Sequence, residues 1–478
     1  MTERRRLLGN SLSLLANRLA QSITAFVLVA AIARILGPYQ LGQYMLAFSF
    51  YYVFMTLSSQ GLKTLFTREL AVNPSETPVY LVSGTFLQFI FSIIGYVGLI
   101  VLVFVLPYKP DTAIVCYVMG LAIIPFSLSN ITEAIFQAQE KMHLIAISTV
   151  PVYILRVLII LWAMNLKYDI TTVSAIMVVS EALILLLEWG LIVRLVKPKW
   201  KIDWNFIWCT TKASRTFLAI EGMAILKDRM QVLILSLLAG EVVVGLFGSI
   251  TQLMQPFQII SYSLVIAVFP KMSKAVNLGQ EKQRKLTESI VEALLIVALP
   301  FIVGLFFIGR ELLVLMYRDP VFADAAFALN IVSLGLISTA FGRPLSYALV
   351  ANGFERINLI EVSINTVIGG LVSVAMVSLY QLNGAAIALV FLQFFATAIY
   401  VYFVYKRLFT LRLWHLLRRP VLVSVLMAAS FLVCQRFSQN TVVIMLVASA
   451  AYGLIVSILG VYVLGGPQTV WNKVFQKK

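Results

Sequence analysis

The chain has 478 residues, of which 60% are hydrophobic and only 12% charged, with a mean hydropathy of +0.93. A soluble globular domain is about 45–50% apolar and about 25% charged, so composition excludes that class and indicates a polytopic membrane protein. The formal charge of +16 does not signal nucleic acid, because the basic residues fall in short connections rather than one patch, and Cys116, Cys209 and Cys434 lie too far apart for a disulfide framework or a zinc site.

In chain order, Arg4, Arg5 and Arg6 precede an apolar run that continues to about residue 36, too long for a signal-peptide core and read as a retained first span. Each later span has about 20 or more residues, enough to cross a hydrocarbon core of about 30 Å as a helix. The expected spans are 10–36, 41–62, 79–106, 112–138, 143–166 and 170–196, then 214–239, 242–269, 287–309, 322–350, 357–380 and 382–405. A last pair falls at 417–436 and 441–464. The expected fold class is all-α, with about 14 transmembrane helices arranged as lobes 1–200 and 201–410 and a helix pair 411–478.

The loop charges supply an independent check. With the N-terminus inside, the inner segments hold Arg4 to Arg6, Lys63 and Arg68, Lys141, the cluster from Arg194 through Lys199 to Arg215, and the cluster from Lys271 to Lys285. They also hold Arg356, the cluster from Lys406 to Arg419, and Lys473, Lys477 and Lys478, whereas the outer segments hold only Arg34, Lys109, Lys167, Arg310, Arg318 and Arg436. Cytoplasmic loops are enriched in Lys and Arg, so an enrichment of about fourfold supports the count and places both termini in the cytoplasm.

A repeat underlies this plan. "EKMHLIAIS" at 140–148 matches "ERINLIEVS" at 355–363, and "LGPYQLGQY" at 36–44 resembles "AGEVVVGLF" at 239–247, with Gly37, Gly42 and Tyr44 set against Gly240, Gly245 and Phe247. The matches join the first and fifth spans to the seventh and eleventh. An offset of six spans gives halves of the same orientation, the parallel repeat of rocking transporters whose site lies between the halves.

Five basic residues fall inside spans: Arg18, Arg156, Lys227, Arg229 and Arg343. Each costs at least about 2.5–3.5 kcal/mol near a helix centre, so they are expected to face a cavity or the bundle interior. Helical spacing places Asn17, Arg18, Gln21 and Ser22 on one side of the first span, Thr149, Tyr153 and Arg156 on one side of the fifth, and Thr339, Arg343 and Tyr347 on one side of the tenth. In "LAIEGMAILKDRMQVLIL", residues 218–235, Glu221 and Asp228 nearly superimpose with Arg229 close by, and Lys227 points elsewhere. The repeat offset sets Glu221 against Arg18. Glu133 shares a seam with Asn130 and Gln137, Glu181 and Glu188 are seven apart, and Glu188 and Glu361 read as interfacial or loop-facing charges. Glu221 and Asp228 suit either a structural ion pair with Arg18 or Arg229, or ion coupling. A net cationic cavity suits an anionic substrate, and the planar fork of Arg suits phosphate. Pro125, Pro151, Pro256, Pro300 and Pro344 mark kinks.

The opening "NSLSLLANRLAQSITAFVLVAAIARILGPYQLGQYMLAFSF" and the run "DRMQVLILSLLAGEVVVGLF" resemble bacterial polysaccharide-biosynthesis flippases of the O-antigen and exopolysaccharide type, in the multidrug/oligosaccharidyl-lipid/polysaccharide exporter superfamily. The resemblance spans essentially the whole chain. It implies a V-shaped pair of six-helix lobes that carries an undecaprenyl-diphosphate-linked oligosaccharide between leaflets of the bacterial inner membrane by alternating access. It also implies a Na+ or H+ gradient as driving force in some members, no cofactor, and a glycan polymerase, export machinery and membrane lipids as partners. By motif position it carries a substrate role to Arg18 and to the Asp228 and Arg229 pair. Arg156, Lys227 and Arg343 rest on the seams. Phe247 departs from the Tyr common in the family. A lipid II flippase shares the diphosphate chemistry. A drug exporter for organic cations would need an acidic cavity, and a glycan polymerase would need a large outer loop with Arg and His, whereas His143 and His415 fall on the cytoplasmic side.

Overall fold

Backbone N–H and C=O groups in hydrocarbon must be paired within their own segment, which leaves helices as the economical solution for long apolar runs. In the computed structural model every regular element among the described residues is helical. The structure describes residues 3–198 and 200–437, without the side chains of 3–16, 18, 216–217, 219–220 and 434–437. The expected span 441–464, Lys199 and the three C-terminal lysines lie outside the described residues, as do the side chains of Arg4 to Arg6, Arg18, Cys434 and Arg436.

Two compact units make up the chain, Met1–Ser249 and Ile250–Lys478. The elements of the first are α1 (Glu3–Ser59), α2 (Leu62–Val72), the single turn α3 (Thr77–Val79), α4 (Thr85–Val105), α5 (Pro110–Gly120), α6 (Ile123–Ala138), α7 (Met142–Asn165), α8 (Ile170–Leu195) and α9 (Trp204–Ala239). Helix α10 (Glu241–Val276) crosses the boundary, and α11 (Gln280–Tyr317), α12 (Ala326–Ala351), α13 (Arg356–Arg407) and α14 (Leu413–Phe437) follow in the second. Ten described helical stretches are long and apolar enough to cross a membrane.

Bends fall where the sequence supplies the right residue. The first two expected spans are limbs of α1 joined at Gly37 (φ 82°, ψ 179°), a conformation open essentially to glycine alone, and Pro38 starts the second limb where its missing N–H is harmless. Between α9 and α10 the link is Gly240 at φ 81°, ψ 177°, the same geometry at the repeat-equivalent position. The eleventh and twelfth expected spans are limbs of α13 bent at Gln381 (φ 46°).

The two glycine bends touch. A Cβ on Gly42 would overlap the carbonyl oxygen of Glu241, and one on Gly245 would overlap that of Pro38. Around this contact Tyr39 and Gln43 each donate to Asp111 at 2.9 Å, and Thr112 donates to Glu241 at 2.8 Å.

Two expectations need correction. The fourth span, 112–138, is not one helix: it breaks after Gly120, which puts Pro125 in the first turn of α6. Lys63 and Arg68 do not sit in a loop but on α2, whose Leu62, Phe66 and Leu70 bury against Ile131 and Ile135 of α6. The second unit has its own cores, one around Leu345, Leu349 and Val404, and one where Phe307 of α11 stacks on Phe431 of α14.

Candidate functional site

On the second limb of α1, Tyr44, Phe48, Tyr51 and Tyr52 recur at helical spacing and form one aromatic face. Phe48 meets Tyr44 at 5.6 Å and Tyr52 at 4.6 Å between ring centroids. This face walls a small, partly open pocket of about 70 Å³ in the first unit, lined also by Gln21 of the first limb, Phe126 of α6, Tyr153 and Arg156 of α7, and Glu181 of α8.

Two guanidinium groups flank the wall. Arg156 lies over the Tyr153 ring at 4.9 Å and donates to Glu181 at 2.7 Å, with only 12% of its side chain exposed. Arg229 of α9 lies over Tyr52 at 4.7 Å and Phe48 at 5.7 Å. Stacking on an aromatic face holds a guanidinium by its plane and leaves the N–H edge for an acceptor. The Nε of both arginines is buried without a hydrogen-bond partner. A buried donor left unpaired costs free energy, and at the pocket the Arg156 charge is balanced by Glu181, so the lining carries one charge of each sign.

The other expected residues divide between this pocket and separate contacts. Asn17 accepts from Thr149 at 2.9 Å, tying the first limb of α1 to α7. Arg18 is one residue further along the same helix. On α9, Glu221 and Lys227 are half-buried and Asp228 is exposed, and Lys227 and Asp228 both engage neighbouring groups. Glu133 pairs with Lys63, a partner concealed from the sequence by the reading of Lys63 as a loop charge. In the second unit Arg343 donates to the carbonyl of Gln258 at 2.8 Å and to its side chain at 2.9 Å, and Gln258 donates to Thr339 at 3.3 Å. The seam of the tenth span therefore closes on a glutamine two residues past Pro256.

Glu188 and Glu361 are not interfacial. Glu188 is fully buried and accepts from Thr132 and Ser148, while Glu361, 1% exposed, accepts from Asn365 at 2.8 Å and Tyr400 at 3.0 Å. Between α4 and α5, burial pushes the Tyr108 phenol up to about 12, and its hydrogen bond with Ser236 pulls the other way. It stays a neutral link to α9. The aromatic wall itself escaped the sequence reading, although "YMLAFSFYY" shows the spacing, because aromatic residues in a span are ordinarily packing.

The fold is similar to that of solved transporters of the MOP superfamily. A structure of the lipid II flippase MurJ in an inward closed conformation superposes with a TM-score of 0.76 over 94% of this chain and 98% of that one, at 15% identity. A multidrug resistance MATE family transporter in an inward-facing conformation gives 0.66 over 81% and 94% at 13% identity. A MOP superfamily transporter from Pyrococcus furiosus, described as having a binding pocket of reverse polarity, gives 0.59 over 84% and 95% at 13% identity. Comparison with curated protein sequences gives no match. Residues 7–276, more than half of the chain, match the model of the polysaccharide biosynthesis protein family, and the chain belongs to that family. It is a multi-pass membrane protein of a family described by its part in polysaccharide biosynthesis.

Proposed function

We propose that this chain is a flippase for a polyprenyl-diphosphate-linked oligosaccharide, carrying it from the cytoplasmic to the outer leaflet of a bacterial inner membrane by alternating access. The observation that carries the reading is the pair Arg156 and Arg229, each stacked on tyrosine with a buried Nε awaiting an acceptor. A diphosphate supplies that acceptor, and sugar rings suit an aromatic wall beside it. The working parts are lobes 1–200 and 201–410, with the pair 411–478 appended and both termini cytoplasmic. Arg18, Asn17, Gln21, Lys227 and Arg343 complete the substrate contacts, and Asp228, Glu221 and Glu133 are the carboxylates for Na+ or H+ coupling. A drug exporter for organic cations is disfavoured by Arg156 in the pocket lining and Arg229 stacked on its aromatic wall.

Reconstituted vesicles test this. Gln at Arg18, Arg156 and Arg229 together is expected to abolish movement of a fluorescent lipid-linked glycan while insertion stays normal, and unimpaired movement would overturn the reading. For coupling, Asp228→Asn is expected to remove stimulation by an imposed ion gradient. Loss of protein abundance alone would instead assign Asp228 a structural ion pair.

A further inference from the structure

We propose that an open groove on the first unit, sharing no lining residue with the arginine pocket, binds one anionic glycerophospholipid of the surrounding leaflet. The groove, about 360 Å³, is lined chiefly by Phe86 and Phe89 of α4, Leu128 of α6, Trp189 of α8, and Trp200 and Ile202 of the 196–203 connection.

Its position suits an acyl chain. Helix α4 exposes Phe89, Ile93, Val97 and Val101 in a stripe, and α8 exposes Val179, Leu183, Leu186 and Val193, so the groove continues two surfaces that face hydrocarbon. Beside Trp189, Gly190 has open space where a side chain would stand. The roof is fixed in place: the Asp203 N–H donates to Ser83 at 3.0 Å, in the π-helical turn Tyr80–Gly84, and Trp204 meets Phe86 edge-on at 6.0 Å.

The rim suits a phosphate headgroup. Arg194, Lys197 and Lys201 are exposed and form no ion pair among the described residues. The acids nearest in sequence are occupied: Glu188 is buried on Thr132 and Ser148, and Asp203 caps α9, accepting from the amides of Asn205 and Phe206 at 3.0 Å. Trp200, Trp204 and Trp208, 78%, 68% and 73% exposed, cluster at the same end, where indoles partition between hydrocarbon and headgroups. Basic residues at that depth attract anionic lipid. A groove of this size seats part of one fatty-acyl chain, and competition with undecaprenyl phosphate separates this ligand from the proposed cargo. The inference does not depend on the flippase reading.

The full chain in phosphatidylcholine nanodiscs doped with phosphatidylglycerol provides the test. Phosphatidylglycerol brominated on its acyl chains is expected to quench tryptophan fluorescence more than brominated phosphatidylcholine at equal mole fraction, and native mass spectrometry to retain one phosphatidylglycerol in preference to phosphatidylcholine. The fold-neutral exposed pair Lys197→Gln and Lys201→Gln is expected to erase the headgroup preference, and Trp189→Phe with Trp200→Phe to erase the excess quenching. Leu128→Trp, which fills the groove, is expected to lower retention of either lipid. Equal quenching and retention of the two lipids by the unmodified protein would overturn the proposal, as would a preference that survives the lysine changes. Displacement of phosphatidylglycerol by equimolar undecaprenyl phosphate would also overturn it, assigning the groove to the cargo.

Discussion

At the scale of single residues, the charge pair Arg156 and Glu181 separates stability from function. Both side chains are nearly dry, 12% and 5% exposed, and removing one member of a buried pair strands the other at a cost on the order of 3 kcal/mol. Glu181→Gln is therefore expected to lower the melting temperature in detergent, and the double change with Arg156→Met to recover most of that loss without restoring transport. Equal transport by the double variant and the unmodified protein would make Arg156 purely structural. The spacing of Thr149, Tyr153 and Arg156 anticipated this corner well: Tyr153 lies under the guanidinium and Thr149 reaches Asn17. Glu188 and Glu361 were misjudged because sequence measures distance to the nearest loop, and says nothing of the hydroxyls across the bundle, Thr132, Ser148 and Tyr400, that solvate them.

At the scale of elements, the glycines divide by mechanism. Gly240 has no neighbour where a Cβ would stand, so Gly240→Ala pays only for its backbone conformation, about 1–3 kcal/mol. Gly245→Ala, in regular helix, instead drives a Cβ into the backbone at Pro38, which is less able to yield than a flexible side chain. Thermal melting is expected to rank Gly245→Ala below Gly240→Ala, and the reverse order would refute close backbone contact at the bend. Helix identities were legible because twenty apolar residues leave few options. Helix lengths were not, since α9, α10 and α11 run to 36, 36 and 38 residues and hydropathy registers only the part suited to lipid. The break before Pro125 was hidden for another reason: a proline announces a lost hydrogen bond, and only packing decides between a kink and two helices.

At the scale of the molecule, the halves expected from two short sequence matches do not coincide with the compact units. Helix α9 and the start of α10, which open the second repeat, belong to the first unit. They are held there by the Arg229 stack, the Tyr108 link to Ser236 and the Thr112 bond to Glu241. Fragments 1–200 and 201–478 expressed together are accordingly expected to copurify in mild detergent, and their separation would show that the peptide link at the 196–203 connection is what holds α9 in place. The reciprocal contact at the glycine bends has a consequence for descent. Position 38 meets 245 while 42 meets 241, which is the pattern of a self-complementary two-fold interface formed within one chain. Two copies of a half-length protein meeting in this way would have to change both sides of the contact with every mutation. A single chain is free of that constraint: in the register of the sequence matches Gln43, which binds Asp111, aligns with Leu246, and Tyr52, which carries Arg229, aligns with Gln255.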